Sequence, residues 1–354
     1  MGAHAQALIS YGAAASSGPA SIKRSITIDR TKCGASGSRT DFPFAFFGTS
    51  AFLKTVANGG EVQSASGYDV FFTSDAAGAN LLSWEQVIWN GTTGEYHYVI
   101  KIPSLTTASD TVIYVWTGNA STSSFQGGST GAAYNSNFKL FQHMKDGSTL
   151  NTNDSTSNGN NGTNSGGTAV AGQVDGGVGF TAGSKVTMTK NLASIIGSSN
   201  AHSISFLVYF TTQGATNYCV DLDTANALGM FCNIKSGNSV EWGYAGTYRT
   251  YTSVTTTTGT WYYVTLEKTG SGDAGNLYLN GVLQSSYSGT LGNPNTAAST
   301  GSQWGAYHSS TVLCLDGKMD ELSISDTARG ADWALAMTNN LLNSGSFYTV
   351  SSPL

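Results

Sequence analysis

Charge is scarce in this chain. Only 10 % of its 354 residues are Asp, Glu, Lys or Arg, and the net charge is -5, so there is no basic stripe for a phosphate backbone and nucleic acid is not an expected partner. Proline is rarer still, 5 residues against 44 glycines, a balance that suits many short strands joined by tight turns. The four cysteines, Cys33, Cys219, Cys232 and Cys314, contain no C-x-x-C spacing, which removes the zinc-ribbon and thioredoxin-like readings. Cys219 and Cys232 would be cross-strand neighbours in one hairpin, either bridged or as two small core residues. No run of ~18 apolar residues occurs, so no membrane span is expected. Met1–Ser10 carries neither a positive leader nor a long apolar run, so export by a signal peptide is not expected. Histidines 4, 97, 143, 202 and 308 lack the H-x-x-x-H spacing of a helical zinc site, and neither a G-x-S-x-G elbow nor a Walker loop is present.

What the chain does have is enough to fold. Apolar residues make up 40 % and aromatic residues 11 %, which rules out a disordered composition. Its length exceeds the ~250–300 residues at which one core stops growing, so two domains are expected. Residues 1–20 are small and polar apart from Leu8, Ile9 and Tyr11, and read as an arm that docks on a neighbouring subunit. From 21 to 119 short apolar or alternating runs such as Ile22–Asp29, Phe42–Phe47, Glu95–Ile102 and Thr111–Thr117 predict a small β-sandwich. Residues 120–132 form a Ser/Gly/Thr linker, and 133–354 a second β domain. There Asn280-Gly281 predicts a two-residue hairpin turn, because a type I′ turn needs φ > 0 at both central positions. Arg329–Asn339, with Trp333, Ala334 and Met337 at helical spacing, predicts the one short helix.

The second domain contains Phe138-Lys139-Leu140-Phe141-Gln142-His143-Met144, Asp154-Ser155-Thr156-Ser157-Asn158-Gly159, Trp261-Tyr262-Tyr263-Val264, Leu277-Tyr278-Leu279-Asn280-Gly281 and Gly317-Lys318-Met319-Asp320-Glu321-Leu322-Ser323-Ile324-Ser325, in that order. The ordered set resembles the concanavalin A-like, laminin-G-like jelly roll. Tyr68-Asp69-Val70-Phe71-Phe72-Thr73-Ser74-Asp75, Ile102-Pro103-Ser104-Leu105 and Ile113-Tyr114-Val115-Trp116-Thr117-Gly118-Asn119 resemble a module of unknown function that commonly precedes such a domain in bacterial and phage proteins. The expected fold is therefore all-β: two β-sandwich domains, the second a jelly roll with a short C-terminal helix. The resemblance implies pairing of the closing strand Lys318–Ser325 near Phe138–Met144. It also implies a carbohydrate-binding surface, which the carboxylate pattern leads us to expect to be non-enzymatic.

Several site expectations follow from that resemblance. A structural Ca²⁺ would sit between Asp154, nearby loop carbonyls and Asp320; otherwise Asp154 serves an Asx-turn and Asp320 bonds a loop. A pyranose needs rings for its C–H faces and polar groups for its hydroxyls. Trp242, Tyr244, Tyr248, Trp304, Tyr307 and His308 are the candidates, with Trp242 facing inward as the alternative and Trp261 expected inside. Against catalysis, the six glutamates at 61, 85, 95, 241, 267 and 321 form no Glu-x-Asp-x-x-Glu pattern. Asp320 and Glu321, being adjacent on a strand, should point to opposite faces. The expected role is a phage virion structural, decoration or host-attachment protein binding a glycan or bacterial surface polysaccharide. The arm would contact other virion subunits, and a homo-oligomer is possible. The alternatives are an exported bacterial cell-surface adhesin and a glycoside hydrolase of the same fold.

Overall fold

In the computed structural model the described residues are 21–145, 150–197, 201–212, 217–222, 230–235, 239–244, 247–251, 254–270, 274–287, 301–307 and 310–354. The 1–20 arm therefore lies outside them. Six strands precede residue 120: β1 (Ile22–Ile28), β2 (Ser38–Thr49), β3 (Phe71–Thr73), β4 (Trp84–Trp89), β5 (Glu95–Thr106) and β6 (Thr111–Thr117). Fifteen follow before the C-terminal helices: β7 (Phe138–Gln142), β8 (Gly162–Ser165), β9 (Thr168–Ala171), β10 (Gly176–Phe180), β11 (Lys185–Met188), β12 (Ala201–Phe210), β13 (Tyr218–Asp221), β14 (Phe231–Lys235), β15 (Ser239–Tyr244), β16 (Thr247–Tyr251), β17 (Trp261–Thr269), β18 (Gly275–Leu279), β19 (Val282–Tyr287), β20 (Gln303–Trp304) and β21 (Gly317–Ser325). A short α1 (Leu192–Ile196) interrupts them, and the chain closes with α2 (Ala331–Leu342), α3 (Ser344–Phe347) and β22 (Tyr348–Val350). The fold is all-β, as the alternation predicts.

The first unit is a sandwich of two small antiparallel sheets, ordered β22-β1-β6-β3 and β2-β5-β4. Alternate residues of its strands bury a dense aromatic core of Phe42, Phe44, Phe46, Phe72, Trp84 and Tyr98. In the second unit, β19-β18-β17-β12-β21-β10-β9 face the sheet β16-β15-β14-β13-β20-β11-β8. Leu140, Phe180, Phe206, Trp242 and Trp304 lie in the core between them. Asn280 and Gly281 adopt φ 50° and 74°, and Leu279 pairs with Val282, the tight hairpin expected from the dipeptide.

The last 24 residues return to the first unit. β22 adds to the outer edge of β1 through Ile26–Val350 and Ile28–Tyr348 pairs. Trp333 of α2 packs on Phe42 at 5.2 Å and on Phe138 at 6.2 Å, so one hydrophobic cluster runs from the first sandwich through the helix to β7, Leu207 and Tyr263. The helix begins at Ala331, after Gly330 at φ 78° and without a side-chain cap, two residues later than its apolar spacing suggests.

β21 is the strand that positions the candidate site. One edge pairs along its length with β12; the other pairs first with β10 (Met319–Val178) and then with β7 (Leu322–Gln142). Where the partner changes, the β12 register shifts and Glu321 takes φ 51°. Extending the β7 register by one residue brings His143 opposite Glu321. Asp175 precedes β10 at the same level.

Candidate functional site

The left-handed conformation of Glu321 overturns the expectation that Asp320 and Glu321 face apart. A regular strand would alternate them, but the irregularity at the partner switch gathers the carboxylates of Asp175, Asp320 and Glu321 to within 4.8 Å of one another. His143 Nδ1 lies 2.6 Å from Glu321 Oε1, and its Nε2 lies 2.8 Å from the Tyr134 hydroxyl. That hydroxyl donates to Glu85 Oε2 at 2.8 Å, and Ser155 Oγ donates to Glu85 Oε1 at 2.8 Å. From β5, His97 places Nδ1 2.8 Å from Asp175 Oδ2 and stacks its edge against His143 at 5.1 Å. Glu85 and His97 come from the first unit and the others from the second, so the network is the polar seam between them.

Burial and charge act against each other here. Burial pushes the His143 imidazole towards neutrality, but Glu321 and Glu85 outweigh it and raise its pKa well above the ordinary histidine value. Burial likewise favours the neutral form of Glu85. Its hydrogen bonds and the charge of His143 prevail and hold the carboxyl down to about 2. Asp320 has no such cation: burial, Glu321 and Asp175 all push its pKa well up, against two backbone N–H donors from Gln173 and Val174.

Above the seam opens a recess of about 480 Å³ with Glu85, His143 and Ser155 on its wall. Tyr68, Gln86, Phe125, Lys145, Asn151, Asn153 and Asp154 also line it. A second recess of about 630 Å³ continues past Ile88 and Trp89 and shares Tyr68 and Gln86 with the first. The segment read as a linker forms part of this wall: Gly127 O accepts from Trp84 N at 3.0 Å and Phe125 packs on Trp84.

Most of the expected binding residues lie elsewhere. Trp242 and Trp304 are fully buried, and Trp304 Nε1 donates to Gln142 Oε1 at 2.9 Å. As core residues they offer no ring face to a sugar, because strand alternation turns both into the sandwich. Tyr307 is half-buried and stacks on Tyr218 at 4.5 Å. His308 and the side chains of Tyr244 and Tyr248 lie outside the described residues. Trp261, expected inside, is half-buried against Tyr209.

Of the expected calcium ligands, Asp154 accepts from Phe141 N, Thr156 N, Thr156 Oγ1 and Asn160 N, all within 3.0 Å. Both its oxygens are engaged in ordering its own loop, and Asp320 clusters with Asp175 and Glu321 instead. Cys219 and Cys232 are free, buried thiols. Glu85, His97 and Asp175 carry no motif. The nearest sequence signal is a histidine in the apolar run Tyr96–Ile100.

Residues 180–334 match the model of the concanavalin A-like lectin/glucanases superfamily. This segment is a concanavalin A-like domain. β7 to β9, which complete the sheets of the concanavalin A-like unit, lie upstream of the matched segment. No curated protein matches the chain. Among solved structures, domain 4 of the extracellular GH43 arabinanase AbnA from Geobacillus stearothermophilus, solved with arabinotriose, aligns with TM-score 0.46 and 18% identity, over 58% of this chain and 98% of that one. The binding domain of Paraclostridial Mosquitocidal Protein 1 aligns with TM-score 0.46 and 16% identity, over 57% of this chain and 52% of that one. Trypanosoma rangeli sialidase, solved with the inhibitor DANA, aligns with TM-score 0.44 and 11% identity, over 57% and 32%. The aligned part thus spans about half of the toxin binding domain and a third of the sialidase.

Proposed function

We propose that this is a non-catalytic carbohydrate-binding protein whose glycan lies in the groove formed by the two adjoining recesses, rather than on the Trp242–Trp304 sheet. The observation that carries the reading is the continuity of the groove at Tyr68 and Gln86, both half-buried on its wall, with the half-buried rings of Phe125 in one recess and Trp89 in the other. Tyr68, Phe125 and Trp89 supply apolar faces for the ring C–H groups, and Gln86, Asn151 and Asn153 supply polar groups for the hydroxyls. The lectin-type fold of residues 180–334 agrees with this class of ligand.

A binding role is favoured over hydrolysis by the chemistry of the groove's carboxylates. Glu85 stays ionised far below neutral pH and so has no proton to give a leaving group. Asp154 has four donors already and is a poor nucleophile or base. The proposed setting is a phage particle, or else a bacterial surface, where repeated display offsets the weakness of a single shallow site.

Screening the purified chain against a glycan array, followed by titration of the best oligosaccharide, tests this. Tyr68→Ala should weaken binding roughly tenfold or more, the loss of one stacking ring, with unchanged thermal stability. Release of reducing sugar from the bound glycan would contradict the non-catalytic reading. Binding undiminished by Tyr68→Ala would remove the groove.

A further inference from the structure

The seam beneath the groove has a property that carbohydrate binding does not use. His97 Nε2, Glu321 Oε2 and Asp320 Oδ1 are buried without a hydrogen-bond partner, although such atoms are rare in folded proteins. The residues are 0 %, 1 % and 0 % exposed. Ligand-type atoms of His97, His143 and Glu321 all lie within 4.8 Å of one another, and Glu321 also belongs to the group with Asp175 and Asp320.

Both imidazoles are oriented from behind. A proton on His97 Nδ1, facing Asp175 Oδ2 at 2.8 Å, leaves Nε2 as a lone pair. His143 Nε2 faces the Tyr134 hydroxyl at 2.8 Å, so Nδ1, which shares a proton with Glu321 Oε1 at 2.6 Å, is the nitrogen left for a metal once that proton leaves. A carboxylate or hydroxyl holding the far nitrogen of each ring is the outer-shell arrangement that fixes histidine ligands around a metal.

We propose that His97, His143 and Glu321 bind one divalent first-row transition ion of the zinc type, which joins the first unit to the concanavalin A-like unit. Two imidazoles and a carboxylate suit zinc, whereas calcium requires six to eight oxygens. Asp320, adjoining Glu321, supplies a further oxygen or holds a metal-bound water. The ion enters through the recess, whose wall includes His143. On binding, the proton shared between His143 Nδ1 and Glu321 Oε1 is released to solvent and both atoms turn to the metal.

The test uses the full chain, stripped with EDTA, equilibrated with ZnCl₂, desalted and assayed for metal by mass spectrometry. One zinc per chain is expected, with a melting temperature that rises with zinc and a visible d–d absorption when Co²⁺ replaces it. Glu321→Gln and His97→Gln should each lose the ion, and Asp175→Asn, which disturbs only the outer shell, should weaken it roughly 10–100-fold. The wild-type stoichiometry and Co²⁺ spectrum stand even if a variant folds poorly. A wild-type chain that retains no zinc and shows no zinc-dependent melting shift overturns the proposal. So does undiminished binding by a folded Glu321→Gln protein, which would put the ion at another site.

Discussion

Asn340, on the C-terminal helix, donates from Nδ2 to Ala45 O at 2.7 Å and accepts from Ala45 N at Oδ1 at 2.8 Å. One fully buried amide thereby satisfies both backbone groups on the outer edge of β2, a strand that pairs on its other side with β5. The helix is thus part of the first unit's sheet edge, 295 residues away in sequence. Asn340→Ala would leave a buried N–H and C=O unpaired, and should lower stability by about 2–4 kcal/mol. Chemical denaturation with probes in each unit would check this, and loss of amide protection at Ala45 would locate the damage.

Trp304 separates a core role from a binding role. Its ring is fully buried and its indole N–H is satisfied by Gln142, so Trp304→Ala should cost about 3–5 kcal/mol. The folded fraction should bind glycan as the wild type does. A stable Trp304→Ala protein that no longer binds would restore this tryptophan to the site.

Acid should weaken the first unit through Glu61. Its carboxylate accepts two hydrogen bonds from Arg24 at 2.6 Å and one from Thr117 at 2.9 Å. Partial burial favours the protonated form, but these bonds and the Arg24 charge win, so the folded pKa lies below the ordinary 4.5. The folded state then binds this proton less readily than the unfolded chain. The pair's contribution is complete above about pH 4.5 and disappears as pH falls through the lower folded value. Glu61→Gln should lose about 1 kcal/mol at pH 7 and show a shallower decline of melting temperature between pH 5 and pH 3.

The strands were legible where one face is buried. Alternation in Ile22–Ile28 or Thr111–Thr117 marks the core face directly, and Asn280-Gly281 marks its turn, because these signals are local. The closing strand beside Phe138–Gln142 was legible through the family resemblance. The role of 331–350 was not, since an apolar helical stripe says only that something covers it; here that is Phe42 and Phe138 together. The seam was illegible for a different reason. Glu85, His97, His143, Asp175 and Glu321 meet only because β21 changes partners, and the left-handed turn of Glu321 breaks the periodicity on which the Asp320–Glu321 reading relied. The aromatic candidates failed because alternation gives two faces without saying which is inward, and Trp242 and Trp304 took the core.

Amide chemical-shift perturbation on titrating the best oligosaccharide from the array tests the central claim most directly. The account predicts that shifts concentrate at Tyr68, Gln86, Trp89, Phe125, Asn151 and Asn153, the two recesses responding together along one binding isotherm. Shifts confined to Tyr307 and its neighbours on the β13–β14 face, with the groove unchanged, would contradict it.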